Sequence, residues 1–319
     1  MKRDIRRRPR GWVPLALVLT LAASGCSVRR MAVNRIGDAL ASGGSTYTSD
    51  DDIQLVGDAL PFSLKLVESL LAEAPRHKGL LLTACQGFTS YSYVYVQDTA
   101  DVVAVDDLTQ ANQLRDRARR LYLRAHRYCM RGIEVSYPGV SELLIATPTE
   151  AAALVNKPKD VPFLYWSAAS LGLAISVSKK DAAMLARIPE VEAFVERGLE
   201  LNPGWDGGAL YAFQVTLASA RPGPPDFERI GEDYQRALHL SEGTRASLYV
   251  AYAESVCIPE QDRPCFEALL EKALAIDPDE HEDIRLMNLV AQRRARWLLG
   301  RVDDLILEEE PAANEEVAQ

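Results

Sequence analysis

The sequence predicts an all-α fold built of stacked helical hairpins. Three observations carry that reading. Apolar residues recur with a helical period from about residue 52 to residue 306. Proline stops close the predicted helices at regular intervals: Pro75, Pro138, Pro203 and Pro278. No segment carries a sustained two-residue alternation long enough to build a sheet.

The first 25 residues read as a secretory leader. A basic head (Lys2, Arg3, Arg6, Arg7, Arg8, Arg10) precedes an apolar run from Trp12 to Leu21, which ends in Ala22-Ala23-Ser24-Gly25-Cys26. Small residues ending in cysteine resemble the bacterial lipoprotein signal, which implies that Cys26 is acylated and becomes the first mature residue. The apolar run is shorter than the roughly 20 residues of a spanning helix. Residues 26–51 read as a lipidated tether, with a short amphipathic piece (Met31, Val33, Ile36, Leu40) and a Gly43-Gly44-Ser45-Thr46 breaker.

The helical domain is expected over residues 52–306. Leu60, Leu64, Val67 and Leu71 form one apolar stripe, and Asp50-Asp51-Asp52 reads as an acidic helix start. A second helix runs from Leu80 to Val96 and is rich in aromatics, with a strand-like alternation from Tyr91 onward. A third spans Leu108 to Glu134. Val161 to Ser178 is apolar on every side behind a helix-starting Pro162 and reads as a buried central helix. Further helices are expected near 188–201, 207–220, 226–240, 244–257, 263–276 and 281–306. Residues 307–319 read as a disordered acidic tail.

The helices also repeat. Gly198, Ala237 and Ala273 each stand five or six positions before a helix stop, at spacings close to the 34-residue period of tetratricopeptide units. Gly132 takes the same place before Pro138. Small residues are required there because the two helices of a hairpin approach closely. The fold class is therefore tetratricopeptide-like, an α-solenoid around a buried central helix.

Charge narrows the function. The leader contributes +5 to the chain's net charge of −9, which leaves −14 from Cys26 onward. Such an acidic chain is a poor partner for nucleic acid, and membrane contact falls to the lipid. Four further cysteines, Cys85, Cys129, Cys257 and Cys265, allow three pairings. Cys85 and Cys129 fit buried free thiols at least as well as a bond. Cys257 and Cys265 flank a turn, and a bond between them is the minor expectation. The spacing is not that of a zinc site.

No nucleophile, metal or phosphate-loop motif appears, so no catalytic residue, metal or cofactor is expected. His77 and His281 read as solvated, His239 as a helix-end residue and His126 as structural. Arg120, Arg124, Arg127 and Arg131 fall on one face of the third helix, extended by Arg117, and are candidates for a partner or an anion. Tyr91, Tyr95, Tyr165, Trp166 and Trp205 are candidate walls of a ligand groove. Trp297 reads as a cap on the core, with the arginines of Gln292-Arg293-Arg294-Ala295-Arg296 reaching outward.

Four runs carry a family resemblance: Asp58-Ala59-Leu60-Pro61-Phe62-Ser63-Leu64-Lys65, Leu71-Ala72-Glu73-Ala74-Pro75-Arg76-His77, Leu164-Tyr165-Trp166 and Gln292-Arg293-Arg294-Ala295-Arg296-Trp297-Leu298-Leu299. In this order they resemble the TatT lipoproteins, tetratricopeptide-like T components associated with TRAP transporters. The resemblance spans about Cys26 to Leu305. It implies a periplasmic, membrane-anchored lipoprotein that is not an enzyme, and Ser27 after Cys26, in place of the aspartate that retains some lipoproteins at the inner membrane, favours the outer membrane. The resemblance further implies docking of a periplasmic solute-binding protein, assembly as a homotrimer and passage of a small hydrophobic or carboxylated ligand. The rival expectation is a tetratricopeptide scaffold lipoprotein for outer-membrane or envelope assembly.

Overall fold

A computed structural model describes residues 31, 33–40, 45–218, 221 and 223–307. The leader, Cys26 and the tail from residue 308 lie outside the described residues. Among the described residues there is no strand, and helices follow one another throughout.

The main helices are α1 (Ile53–Glu73), α2 (Lys78–Tyr91), α3 (Leu108–Ser136), α4 (Val140–Ala146), α5 (Pro148–Leu154), α6 (Val161–Ser176), α7 (Ile188–Leu201), α8 (Ala209–Ala218), α9 (Phe227–Leu240), α10 (Ala246–Tyr252), α11 (Arg263–Ala275) and α12 (Arg285–Leu299). Aspartates start many of them. Asp52, Asp107, Asp226 and Asp262 each accept from a backbone N–H of the following first turn, which satisfies donors that a helix start leaves open. His77 does the same for α2 through Nδ1. It also meets Asp38, at 3.2 Å. His77 is thus a cap between elements rather than a solvated turn residue, because the segment at 33–40 packs onto the start of α2. The amphipathic piece turns Leu40 to the core and leaves Met31 and Ile36 exposed.

Successive helices pack as antiparallel pairs: α2 with α3, α6 with α7, α8 with α9, and α10 with α11. Gly132 and Gly198 sit at close approaches between neighbouring pairs, α3 to α6 and α7 to α8, rather than within a hairpin. A methyl group on Gly132 would lie 2.0 Å from Phe163 Cε1, and one on Gly198 would lie 3.0 Å from Leu210. Ala237 and Ala273 are buried. Helix α6 lies between α3 and α7 and also touches α2, with apolar or small residues buried on all sides. That matches the expected central helix.

The core is divided. One cluster runs from Leu64 to Leu217 and the other from Val215 to Ile306. Helix α8 belongs to both: Leu210, Phe213 and Leu217 face the first, and Val215 and Ala218 the second. A disulfide staples each half. Cys85–Cys129 joins α2 to α3, and Cys257–Cys265 spans the turn before α11. The first corrects the free-thiol reading, and the second makes the minor expectation the observed one. Sequence spacing could not decide this, because both pairings depend on which helices lie side by side.

Candidate functional site

The strand-like alternation after Tyr91 resolves as a π-helical stretch, Ser92–Gln97, which carries α2 on into a last helical turn at Asp98–Val103. A second π-helical stretch, Ala253–Cys257, follows α10. Such widened turns are uncommon and recur at functional sites. Here both flank one ionic junction. Arg294 of α12 reaches Glu254 in the second stretch at 2.6 Å. It also meets Asp98 at 3.3 Å and Asp101 at 3.4 Å, just beyond the first stretch. Arg293 donates to Asp98 at 2.9 Å and to the Val94 carbonyl at 3.1 Å. Arg285 donates to the Ser49 carbonyl at 3.0 Å.

These contacts return α12 to the N-terminal helices and correct the expectation that Arg293 and Arg294 reach outward, while Arg296 is exposed as expected. Arg293 and Arg294 point across the molecule because three carboxylates of the other elements converge on them. Trp297 is partly buried between the Arg294 and Arg301 guanidinia, at 4.4 and 4.9 Å from its ring. Burial raises the Glu254 carboxyl, and Arg294 only partly offsets it. Gln292 is buried and donates to the carbonyls of Ala273 and Ile276, which closes the end of α11.

Beside this junction lies a cleft of about 820 Å³ lined by the start of α1 (Asp51 to Asp58), by Tyr91 and Tyr95, and by Arg293. The two tyrosines stack, with ring centroids 5.6 Å apart. Tyr95 Oη donates to the Ile53 carbonyl at 2.7 Å. Burial pushes its pKa up to about 12, so the hydroxyl stays protonated. Gly57 makes room for this ring, because a methyl group there would sit 2.4 Å from Tyr95 Cε1. Arg117 donates to Tyr91 Oη at 3.2 Å and extends the wall.

The other predicted aromatics gather elsewhere. Tyr165 touches Trp166 at 5.1 Å, Trp205 at 4.9 Å and Phe213 at 6.1 Å, between α6, α8 and the turn Trp205–Gly208. Asp206 and Gly207 in that turn hold left-handed backbone conformations (φ 46° and 57°). Among the described residues no ring contact joins this group to Tyr91 and Tyr95. The five candidate rings therefore form two separate ring clusters.

The arginine row is likewise divided. Arg124 pairs with Glu68 and lies over the Phe88 ring at 4.6 Å. Burial pushes the Glu68 carboxyl up, but hydrogen bonds from Lys65, Tyr128 and Arg124 outweigh it, so Glu68 titrates below its usual range. Arg131 donates to the Pro75 carbonyl at 3.0 Å. Arg120 and Arg127 are exposed, with no ion-pair partner among the described residues. His126 is buried: its Nδ1 meets the Ser167 carbonyl at 3.2 Å and its Nε2 meets Arg187 at 3.4 Å. Burial and then the neighbouring arginine hold its pKa down at about 4. A neutral imidazole accepting from Arg187 fits that arrangement. Among the described residues no three acidic, histidine or cysteine side chains gather as a metal site. No helix there is long and apolar enough to cross a membrane.

Residues 49–306 match the family described as TRAP transporter T-component (TAtT). The chain belongs to that family. A protein of Treponema pallidum, described only as uncharacterized, is similar to this T component: 28% identity over 317 residues, 92% of this chain and 97% of the relative. In this T component the matched span includes the junction, the cleft and both disulfides. The junction is the feature sequence reasoning missed. Its only traces were the anomalous alternation after Tyr91 and the paired Arg293-Arg294.

Proposed function

We propose that this T component is a lipid-anchored periplasmic adaptor, acylated at Cys26, that docks a solute-binding protein and holds a small ligand without chemically changing it. Family membership favours transport over an envelope-assembly scaffold. The observation that carries the ligand reading is the position of Arg293. It lines the cleft and at the same time holds Asp98 across the junction. A ligand with an apolar body and a carboxylate would lie along Tyr91 and Tyr95 and compete with Asp98 for Arg293. Occupancy would then loosen the contact between the two halves and report itself to a docked partner. Arg117 and Arg120, at the same end of α3, are positioned to meet acidic groups of the ligand or partner.

An apolar stripe on the outer face of α1 supports assembly into a trimer. Leu55, Phe62 and Leu66 recur at helical spacing and are 58%, 75% and 39% exposed. Native mass spectrometry of the mature protein reports acylation, subunit number and retained ligand together. Phe62→Glu should yield monomers. Crosslinking in intact cells should retrieve a solute-binding protein, and Arg293→Met should lose the ligand. A monomeric, ligand-free protein that crosslinks no solute-binding protein would overturn the reading.

A further inference from the structure

The corner where the tether meets the helical domain is basic in an otherwise acidic chain. Contacts between distant segments assemble it. The 33–40 helix packs on the start of α2, with the Asn34 carbonyl 3.3 Å from His77 Nε2. Arg131, at the end of α3, donates to the Pro75 carbonyl just before α2. Lys78 bonds Ser136 at 2.9 Å and Asp160 at 2.7 Å, which brings in the turn at residues 158–160. Tyr137 closes the same carboxylate at 2.8 Å. Arg35, Arg76, Arg127, Arg131, Lys157 and Lys159 are thereby gathered at one end of the molecule, and all six are exposed. Among the described residues none of them has an ion-pair partner.

The acidic groups of this corner are engaged. Buried Asp160 is held by Lys78 and Tyr137. Glu134 accepts from the backbone N–H groups of Gly139 and Ser141. Asp38 faces His77. Glu73 also has a partner. From Cys26 onward the whole chain carries −14, so this corner runs strongly against the average.

We infer that this corner docks on anionic lipid headgroups and fixes the orientation of the domain on its membrane. The inference rests on acylation of Cys26. Met31 stands five positions after Cys26, and an extended chain of that length spans at most about 18 Å. The intervening Ser27-Val28-Arg29-Arg30 adds two positive charges and no negative one. A tether this short keeps the 33–40 helix and the corner beneath it close to the bilayer, while screening limits attraction to roughly 8 Å at physiological salt. Lipid phosphates then meet guanidinium and ammonium groups, and the acidic remainder of the molecule is repelled from the surface and faces the solvent.

The test uses the chain from Ser27 onward, without its lipid, in cosedimentation with vesicles of phosphatidylcholine alone or with added phosphatidylglycerol. The expected result is a partition at least about 10-fold higher onto the anionic vesicles, falling with added salt. The combined variant Arg131→Glu/Lys157→Glu/Lys159→Glu should abolish that gain, with circular dichroism unchanged. Lys272→Glu, on α11 away from the corner, should keep it. Equal partition onto both vesicles, or a combined variant that binds like the parent, would overturn the inference. So would crosslinks from Lys157 and Lys159 to a protein in place of lipid. Acylation is read separately, from the mass of the native N-terminus, so the two readings fail independently.

Discussion

The two halves of this T component are held together in opposite ways. The N-terminal core is centred on α6, a helix buried on every side, and its hairpins are tied across α2 and α3 by Cys85–Cys129. The C-terminal core is a more regular succession of hairpins, with a disulfide that closes only a local turn. The first half buries a neutral histidine. In the second half Asp233 and Glu254 titrate above their usual range because burial raises them, whereas hydrogen bonds hold Glu68, Glu134 and buried Asp160 of the first half below theirs. A molecule stacked only in sequence order would let its ends drift apart. Here α8 shares its faces between the cores, and the Arg293–Arg294 junction joins the first helices to the last. Shape is thus set by packing within each half and by charge between them.

The largest effect should come from the staples. Cys85 and Cys129 close a loop with a sequence separation of 44, and Cys257 and Cys265 one of 8. On the chain-entropy account these are worth about 4 and about 2.5 kcal/mol respectively. Replacing the first pair by alanines should lower the denaturant midpoint more than replacing the second, and equal losses would contradict the picture of a more heavily constrained first half.

Next comes the junction. Arg294→Met leaves Glu254, Asp98 and Asp101 facing each other without their shared cation. A cost of about 2–3 kcal/mol is expected, since the group is mostly but not wholly buried. Calorimetry should then show two transitions where the parent shows one. A single shifted transition would mean that α8 alone couples the halves.

Acid should separate the halves by about 2 kcal/mol at pH 5. His126 binds its proton in the unfolded chain near pH 6.5 but in the folded chain only near pH 4. The unfolded state therefore holds more protons between those values, and stability contributed by the N-terminal half is lost as the pH falls through that window. Asp233 and Glu254 act with the opposite sign, because their raised values let the folded state take up protons first. Hydrogen exchange at pH 7 and pH 5 should show the N-terminal helices loosening relative to the C-terminal ones, and His126→Gln should remove most of that difference.

The smallest effect is expected at Glu68. Glu68→Gln weakens its bonds to Lys65, Arg124 and Tyr128 and should cost about 1 kcal/mol, because two of these partners remain open to water. The loss should stay in the N-terminal transition. A shift of both transitions would show that α1 also carries the coupling.

Most of the helices were legible in the sequence because a buried stripe repeats at a fixed period whatever its neighbours do. The Leu64–Val67–Leu71 stripe and the wholly apolar α6 lie where their periodicity put them. The short helices α4 and α5 were not, because seven residues hold too few turns to display a period. The candidate rings were legible one by one but not as partners. Tyr91 with Tyr95 share a helix, whereas Trp205 reaches Tyr165 only through a left-handed turn.

By itself the sequence determined the helical class, the places of close approach at Gly132 and Gly198, and the family. Those depend on local period and on the volume of single residues. Only the tertiary structure decided which cysteines join, that Arg293 and Arg294 turn inward to Asp98 and Glu254, and that basic residues from four separate segments share one corner. Each of these depends on which distant segments meet, and neither helical periodicity nor residue spacing encodes that.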